Sequence, residues 1–278
     1  MPSNIEYVKG ATDLSLTGTY SGGALPIDGD SLFFSDGGGV VNTNMNALAA
    51  IDLARFELRP GFFADIGEAG NPMEIDVDRT STGIAVLGSR SSKCFFKGGS
   101  GSGIWNDLTV QMVNGSAQVW LQSLSLNAMR VYSGVVRCPA TVALGTCDVL
   151  GPGTVIADAH ASDTIGNGTI ANGGTLIARR RISGSIVVGL GGTLIYDVDT
   201  ATTTGTITLA GGRIELRKGS MTVSGLSGEL DYSKLEKATS IAYTLTITDH
   251  EGLIEKSGSV LPTFSRTTPG KGSRKIPV

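Results

Sequence analysis

Residues 173–200 read GGTLIARRRISGSIVVGLGGTLIYDVDT, so that Gly-Gly-Thr-Leu-Ile begins at Gly173 and again at Gly191, eighteen residues later. A period of that size is too short for a pair of helices and suits one turn of a coil whose sides are short strands. Anchoring on the second glycine of each copy and searching outward finds Gly115, Gly134, Gly153, Gly174, Gly192 and Gly212, spaced by 19, 19, 21, 18 and 20 residues. Two residues past each glycine stand Ala117, Val136, Val155, Leu176, Leu194 and Ile214, and four past stand Val119, Cys138, Ala157, Ala178, Tyr196 and Leu216. Three residues before each glycine, Met112, Val131, Leu150, Ala171, Gly189 and Leu209 form another small or apolar column.

Successive side chains on a strand point to opposite faces, so the columns at offsets two and four share one interior. A glycine ahead of each strand suits the bend between sides, where positive φ costs nothing without a Cβ. The pattern predicts an all-β fold, a single-stranded parallel β-helix with 18–21 residues per coil and rungs ~4.8 Å apart. It is taken as right-handed, the commoner hand for parallel solenoids with irregular turns. A hexapeptide coil is the alternative. Ile165-Gly-Asn-Gly-Thr-Ile170 hints at its period, which ends within two repeats and ranks second.

Forty glycines and only 17% charged residues describe short strands joined by tight turns rather than helices or disorder. A net charge of −3 offers no global positive field to nucleic acid. No apolar run approaches the ~20 residues of a membrane span, so neither nucleic acid nor membrane is expected as a partner. The start MPSNIEYVKGATD lacks the charged-then-apolar layout of a signal peptide, which points to synthesis in a reducing cytoplasm. Cys94, Cys138 and Cys147 have no CxxC or metal spacing and are read as buried free thiols.

The chain divides into an N-terminal segment 1–40 that could contact a partner, a lead-in of less regular β at 41–105, a regular body at 106–232, a C-terminal cap at 233–265 and a basic flexible tail at 266–278. Within the lead-in, Asn44 to Ala54 offers an Asn cap and a run of helix formers, a short helix expected to plug the open end of the coil. In the cap, Ile241 to Thr248 alternates as a strand.

Chemistry is sparse. Asp197 and Asp199 share a strand face, as do Glu74, Asp76 and Asp78, a set that could hold a hard cation through oxygens; strand alternation produces the same pattern without function. Five residues past the anchoring glycines the column reads Trp120, Pro139, Asp158, Arg179, Asp197 and Arg217. The alternation Asp158, Arg179, Asp197, Arg217 predicts a structural charge ladder, each exposed pair worth ~0–1 kcal/mol, in preference to a catalytic acid at Asp197. Arg179 to Arg181 is read as continuing that ladder where the coil turns. His160 and His250 lie ninety residues apart with no nucleophile nearby and are read as loop residues. No catalytic residue, cofactor site or metal site is assigned.

At offset three stand Gln118, Arg137, Ile156, Ile177, Ile195 and Glu215. Ile156, Ile177 and Ile195 would stack outward as an apolar stripe, each side chain gaining ~1.5–3 kcal/mol if covered, and are taken as a subunit contact.

Gly29-Asp-Ser-Leu-Phe-Phe-Ser35, Val41-Asn-Thr-Asn44 and Arg59-Pro-Gly-Phe-Phe-Ala-Asp-Ile-Gly67, with the coils that follow, resemble β-helical structural proteins of tailed bacteriophages over about residues 25 to 235. The resemblance implies a non-enzymatic virion component, a capsid decoration or cement protein or a fibre-like part, made in the host cytoplasm and carried on the particle. It implies partners as well: the chain itself, as a homotrimer about a three-fold axis, and virion proteins such as the major capsid protein. It supplies no catalytic residue. A tailspike-like β-helix that binds or cleaves glycan is the first alternative, and Trp105 and Trp120 are the only tryptophans it would have as sugar platforms. A secreted bacterial adhesin of β-solenoid type is the second, and would call for an export signal.

Overall fold

The computed structural model describes residues 3–277 apart from residues 9, 38–39, 78–81, 102, 160–163, 199–204, 237–243, 249–252 and 267–273. Two compact units divide the chain, Met1–Gly145 and Thr146–Val278. Each is built of parallel strands stacked as a β-solenoid, and no α-helix occurs among the described residues.

In the second unit the strand Thr154–Ala157 pairs in parallel with Thr175–Ala178, which pairs with Thr193–Asp197, which pairs with the later half of Thr206–Lys218. Val155, Leu176, Leu194 and Ile214 therefore meet rung over rung, each with no exposed surface. On the other long side, Gly168–Ile170, Ser185–Gly189 and the earlier half of Thr206–Lys218 pair in the same way and bury Ile170, Val188 and Leu209. Among the described residues the remaining side is reduced to the bridge Ile165↔Ile182.

Each Gly-Gly divides two tasks between its members. Gly173, Gly191 and Gly211 hold φ of +90°, +73° and +90°, the left-handed region that a Cβ disfavours. Gly174, Gly192 and Gly212 do not need that freedom; a Cβ on them would run into the carbonyls of Val149, Ile170 and Gly189 in the neighbouring rung. In these three coils the column found in the sequence is thus the close-approach glycine, and the bend belongs to the residue before it; Gly134 of the same column is itself at φ +95°.

Strand pairing runs past residue 232. Met221–Tyr232 pairs with Thr244–Ile247 and Leu253–Ser257, and these pair with Thr263–Arg266 and Arg274–Pro277. The expected strand within Ile241–Thr248 is present at Thr244–Ile247; residues 241–243 lie outside the described residues. Within the expected flexible tail, Arg274–Pro277 pairs in parallel with Ile254–Ser257, and residues 267–273 and 278 lie outside the described residues.

In the first unit Asn4–Glu6, Ser31–Phe34, Arg55–Leu58, Ile84–Leu87, Ile104–Gln111 and Leu124–Ser133 pair in turn, stacking Ile5, Leu32, Phe56, Ala85, Leu108 and Met129. Lys93–Gly98, Gln118–Gln122 and Val135–Cys138 form a second side, with Cys94, Val119 and Val136 level. Here the glycine-anchored alignment slips by two residues: it set Ala117 beside Val136, and the structure sets Val119 there. Gly115, the anchor, sits in an exposed turn with open space around it, so nothing fixes its phase to the rung.

The helix expected over Asn44 to Ala54 does not form. Asn44 has φ +49°, incompatible with an extended N-cap, and the segment makes only separate four-residue turns, Ala47 N to Asn44 O, Ala49 N to Asn46 O and Ile51 N to Leu48 O. The carbonyls that an α-helix would use bond sideways instead: Met45 O accepts from Glu74 N at 2.9 Å and Ala49 O from Ser100 N at 2.6 Å. Met45, Leu48 and Leu53 still reach the core. The free edge of the first rung is met by residues 19–21, through the antiparallel bridge Tyr7↔Tyr20 and a 2.8 Å bond from Ser21 N to Glu6 O.

Candidate functional site

The outward face of Thr154–Ala157, Thr175–Ala178 and Thr193–Asp197 carries three parallel columns. Thr154, Thr175 and Thr193 form the first and Ile156, Ile177 and Ile195 the second, each member directly opposite the next. The isoleucines are half-buried, since each is partly covered by the one above or below. Covering them further therefore gains less than the ~1.5–3 kcal/mol of full burial.

The third column is the charge ladder, and it is shorter than expected. Arg179 Nη1 donates to Asp158 Oδ1 at 2.9 Å, and Arg179 Nε stands 3.9 Å from Asp197 Oδ2. Arg217 does not continue it; its Nε donates to Glu215 Oε1 at 2.7 Å. The cause is a bulge after Tyr196: Tyr196 pairs with Leu216 but Asp197 pairs with Lys218, so Arg217 is the extra residue and its side chain is re-aimed. Arg180, read as continuing the ladder where the coil turns, is buried, and its Nε donates to the Asp158 carbonyl at 2.8 Å.

Below the stripe lies a group of charges that the column reading missed. Glu215 stands opposite Ile195 and Asp231 opposite Glu215. Arg213 Nη2 reaches Asp231 at 2.6 Å and Glu215 at 3.3 Å, and its Nε reaches Glu229 at 2.9 Å; Lys234 stands 3.2 Å from Glu215 and Lys256 3.0 Å from Glu229. The side chains of Glu215 and Asp231 are only 5% exposed. Burial pushes both acids up, but hydrogen bonds and charge from Arg217 and Lys234 at Glu215, and from Ser233 and Arg213 at Asp231, outweigh it and leave both below the usual carboxylate range. Both acids are held ionised, the reverse of a poised general acid. The alternation Arg213-Ile-Glu215 and Glu229-Leu-Asp231 was visible in the sequence, but an irregular register between these two strands hid which residues meet.

The remaining candidates are held elsewhere. Glu74 accepts from Lys97 at 2.8 Å, and buried Asp76 accepts from Gly99 N at 2.8 Å. Asp78, Asp199, His160 and His250 lie outside the described residues. Among the described residues no three His, Cys, Asp or Glu side chains converge as metal ligands. Cys94, Cys138 and Cys147 are buried thiols, as the sequence predicted, and burial pushes Cys94 up to about 12.

Of the two tryptophans, Trp105 is fully buried and donates to Ile75 O at 2.9 Å. Trp120 faces outward in a stack: Phe95 lies on it at 5.8 Å and 17° between planes, and the Arg137 guanidinium lies 4.7 Å from its ring centre. Its register neighbours on both sides, Phe95 and Arg137, occupy the ring faces that a sugar would need. A pocket of about 340 Å³ in the first unit is lined by Glu57, Val86, Met112 and Val113 among others, and its carboxylate is paired with Arg55 at 2.9 Å and Arg59 at 3.5 Å. No helix among the described residues is long and apolar enough to cross a membrane. No known protein family, curated relative or solved structure matches the chain.

Proposed function

We propose that this chain is a non-enzymatic structural protein that associates with copies of itself through the face bearing Ile156, Ile177 and Ile195, and that it serves as a decoration or fibre-like component of a phage virion. One observation carries the self-association: three isoleucines in register on an outward strand face, between a threonine column and an ion-paired column. An apolar column of this kind on paired parallel strands is suited to contact with a matching surface. Beside that column Arg179, Glu215 and Asp231 are each paired within the chain. The virion role rests on the resemblance to phage β-helices, and the three-fold arrangement does too.

Light scattering tests the contact. Wild type is expected to be oligomeric at micromolar concentration, and Ile177→Lys, which sets like charges against each other where copies meet, is expected to yield monomer with an unchanged far-ultraviolet spectrum. A monomeric wild type, or a variant that assembles normally, removes the contact. Mass spectrometry of purified particles tests the virion role, which fails if the chain is absent from them.

A further inference from the structure

The sequence holds three Asn-Gly pairs, Asn114-Gly115, Asn167-Gly168 and Asn172-Gly173. In each the glycine nitrogen is one ring closure away from the asparagine side-chain carbonyl, and no Cβ on the following residue hinders attack. We infer that Asn114, and neither of the other two, is a site of self-catalysed deamidation in the folded protein.

The step needs no partner but water. The Gly115 amide nitrogen, giving its proton to a solvent base, bonds to Asn114 Cγ; the Cγ–Nδ2 bond breaks, and the nitrogen leaves as ammonia with a proton returned from solvent. The five-membered imide is then opened by water at either carbonyl, leaving aspartate or isoaspartate. Nothing is oxidised or reduced.

Geometry separates the three sites. Ring closure requires a free glycine nitrogen and a peptide able to rotate. Gly173 N donates to Gly191 O at 3.1 Å and Asn172 N to Leu190 O at 2.9 Å, so that pair is clamped to the adjoining rung. Asn167 is fixed on both sides: its carbonyl accepts from Cys147 N at 2.9 Å and its Oδ1 from Ser185 N at 2.8 Å. Gly168 has no slack either, because a Cβ there would strike the Cys147 carbonyl.

Asn114 and Gly115 are exposed in the turn ahead of Gln118–Gln122. Among the described residues nothing accepts a hydrogen bond from Gly115 N, and beyond its two chain neighbours no residue comes within 4 Å of where its Cβ would be. Asn114 also accepts two hydrogen bonds, from Ala117 N at its carbonyl at 2.9 Å and from Ser116 N at Oδ1 at 3.0 Å, but both donors belong to the same exposed turn and move with it, whereas those of Asn167 come from neighbouring strands. Each event adds one negative charge. The isoaspartate product also lengthens the backbone by a methylene between Val113 and Ala117, at the edge of the pocket lined by Met112 and Val113.

The test is to hold the folded full-length protein in mildly alkaline buffer and follow all three peptides by mass spectrometry with isoaspartate detection. Conversion at Asn114 is expected to run at least about tenfold faster than at Asn167 or Asn172, which react only through local opening. In urea the three rates should converge, and Asn114→Gln should abolish the acidic shift on isoelectric focusing of the folded protein. Equal rates in the folded state, a lead for Asn167 or Asn172, or a folded Asn114 that stays intact while the unfolded chain converts would each overturn the assignment.

Discussion

The carbonyl oxygen of Gly189 occupies the space into which a side chain at Gly212 would grow, 2.5 Å from the position of its absent Cβ. Gly211, one residue earlier, has φ +90° and meets nothing nearer than 3.7 Å. The two glycines should therefore respond differently to substitution. Gly212→Ala must push the rung apart and is expected to cost ~1–3 kcal/mol, as overpacking does. Gly211→Asn places a residue tolerant of left-handed backbone in ordinary contact and is expected to cost less. Urea unfolding of the two variants reads the difference; a Gly211→Asn that is the worse of the pair would reverse the division of labour.

That division shows what sequence can carry. The Gly-Gly-Thr-Leu-Ile repeat was legible because two constraints, a bend and a close approach, recur together in three successive coils, where a glycine meets each. Gly115 looked like another member of the series but satisfies neither constraint, which is why the alignment slipped at Ala117. The bulge that detaches Arg217 leaves no compositional mark, since any residue can be the extra one when it points to solvent. The segment from Asn44 had helical propensity, but neighbouring rungs supplied partners for Met45 O and Ala49 O, and those lateral bonds decided its shape. The candidate face was half legible: periodicity placed the isoleucine column, whereas the Glu215 and Asp231 network depends on register between irregular strands.

Leu194 is fully buried between Leu176 and Ile214. Leu194→Asp would put an unpaired charge into that column at a cost of several kcal/mol, comparable with a total stability of ~5–15 kcal/mol. Loss of soluble protein is the expected result. A soluble variant with an unchanged melting temperature would show that the column is not the core.

Cys94 has no exposed surface, and burial is the main cause of its raised pKa, about 12. Since the thiolate is the reactive form, the folded protein should resist a thiol reagent at neutral pH on the time scale of minutes, and Cys138 and Cys147 should resist it by burial alone. All three should react once the chain is unfolded in denaturant. Rapid labelling of Cys94 in native conditions would contradict its place in the interior.

Asp197 contributes one half-exposed contact to the ladder, 3.9 Å from Arg179. Asp197→Asn should cost at most ~1 kcal/mol, as for other surface pairs, and leave self-association unchanged. A loss of glycan-cleaving activity on this substitution, should such an activity be found, would instead make Asp197 a catalytic acid and replace the structural reading.

Glu215 and Asp231 should behave otherwise, because both are nearly covered and both are held below the usual carboxylate range in the folded protein. In the unfolded chain they titrate near the ordinary ~4.3 for Glu and ~3.9 for Asp. Folded-state values lower than these mean that the unfolded state binds protons first as pH falls. The stabilisation is thus complete above about pH 5 and is lost as pH drops through the ordinary carboxylate range to the depressed folded-state values. Melting temperature measured from neutral pH downward should fall across that window. The double variant Glu215→Gln, Asp231→Asn should begin lower at neutral pH, because Arg217 and Lys234 lose their charged partner and Arg213 keeps only Glu229, and should then show a flatter decline. An unchanged acid slope in the double variant would locate the pH dependence in other carboxylates and leave this network as surface pairing.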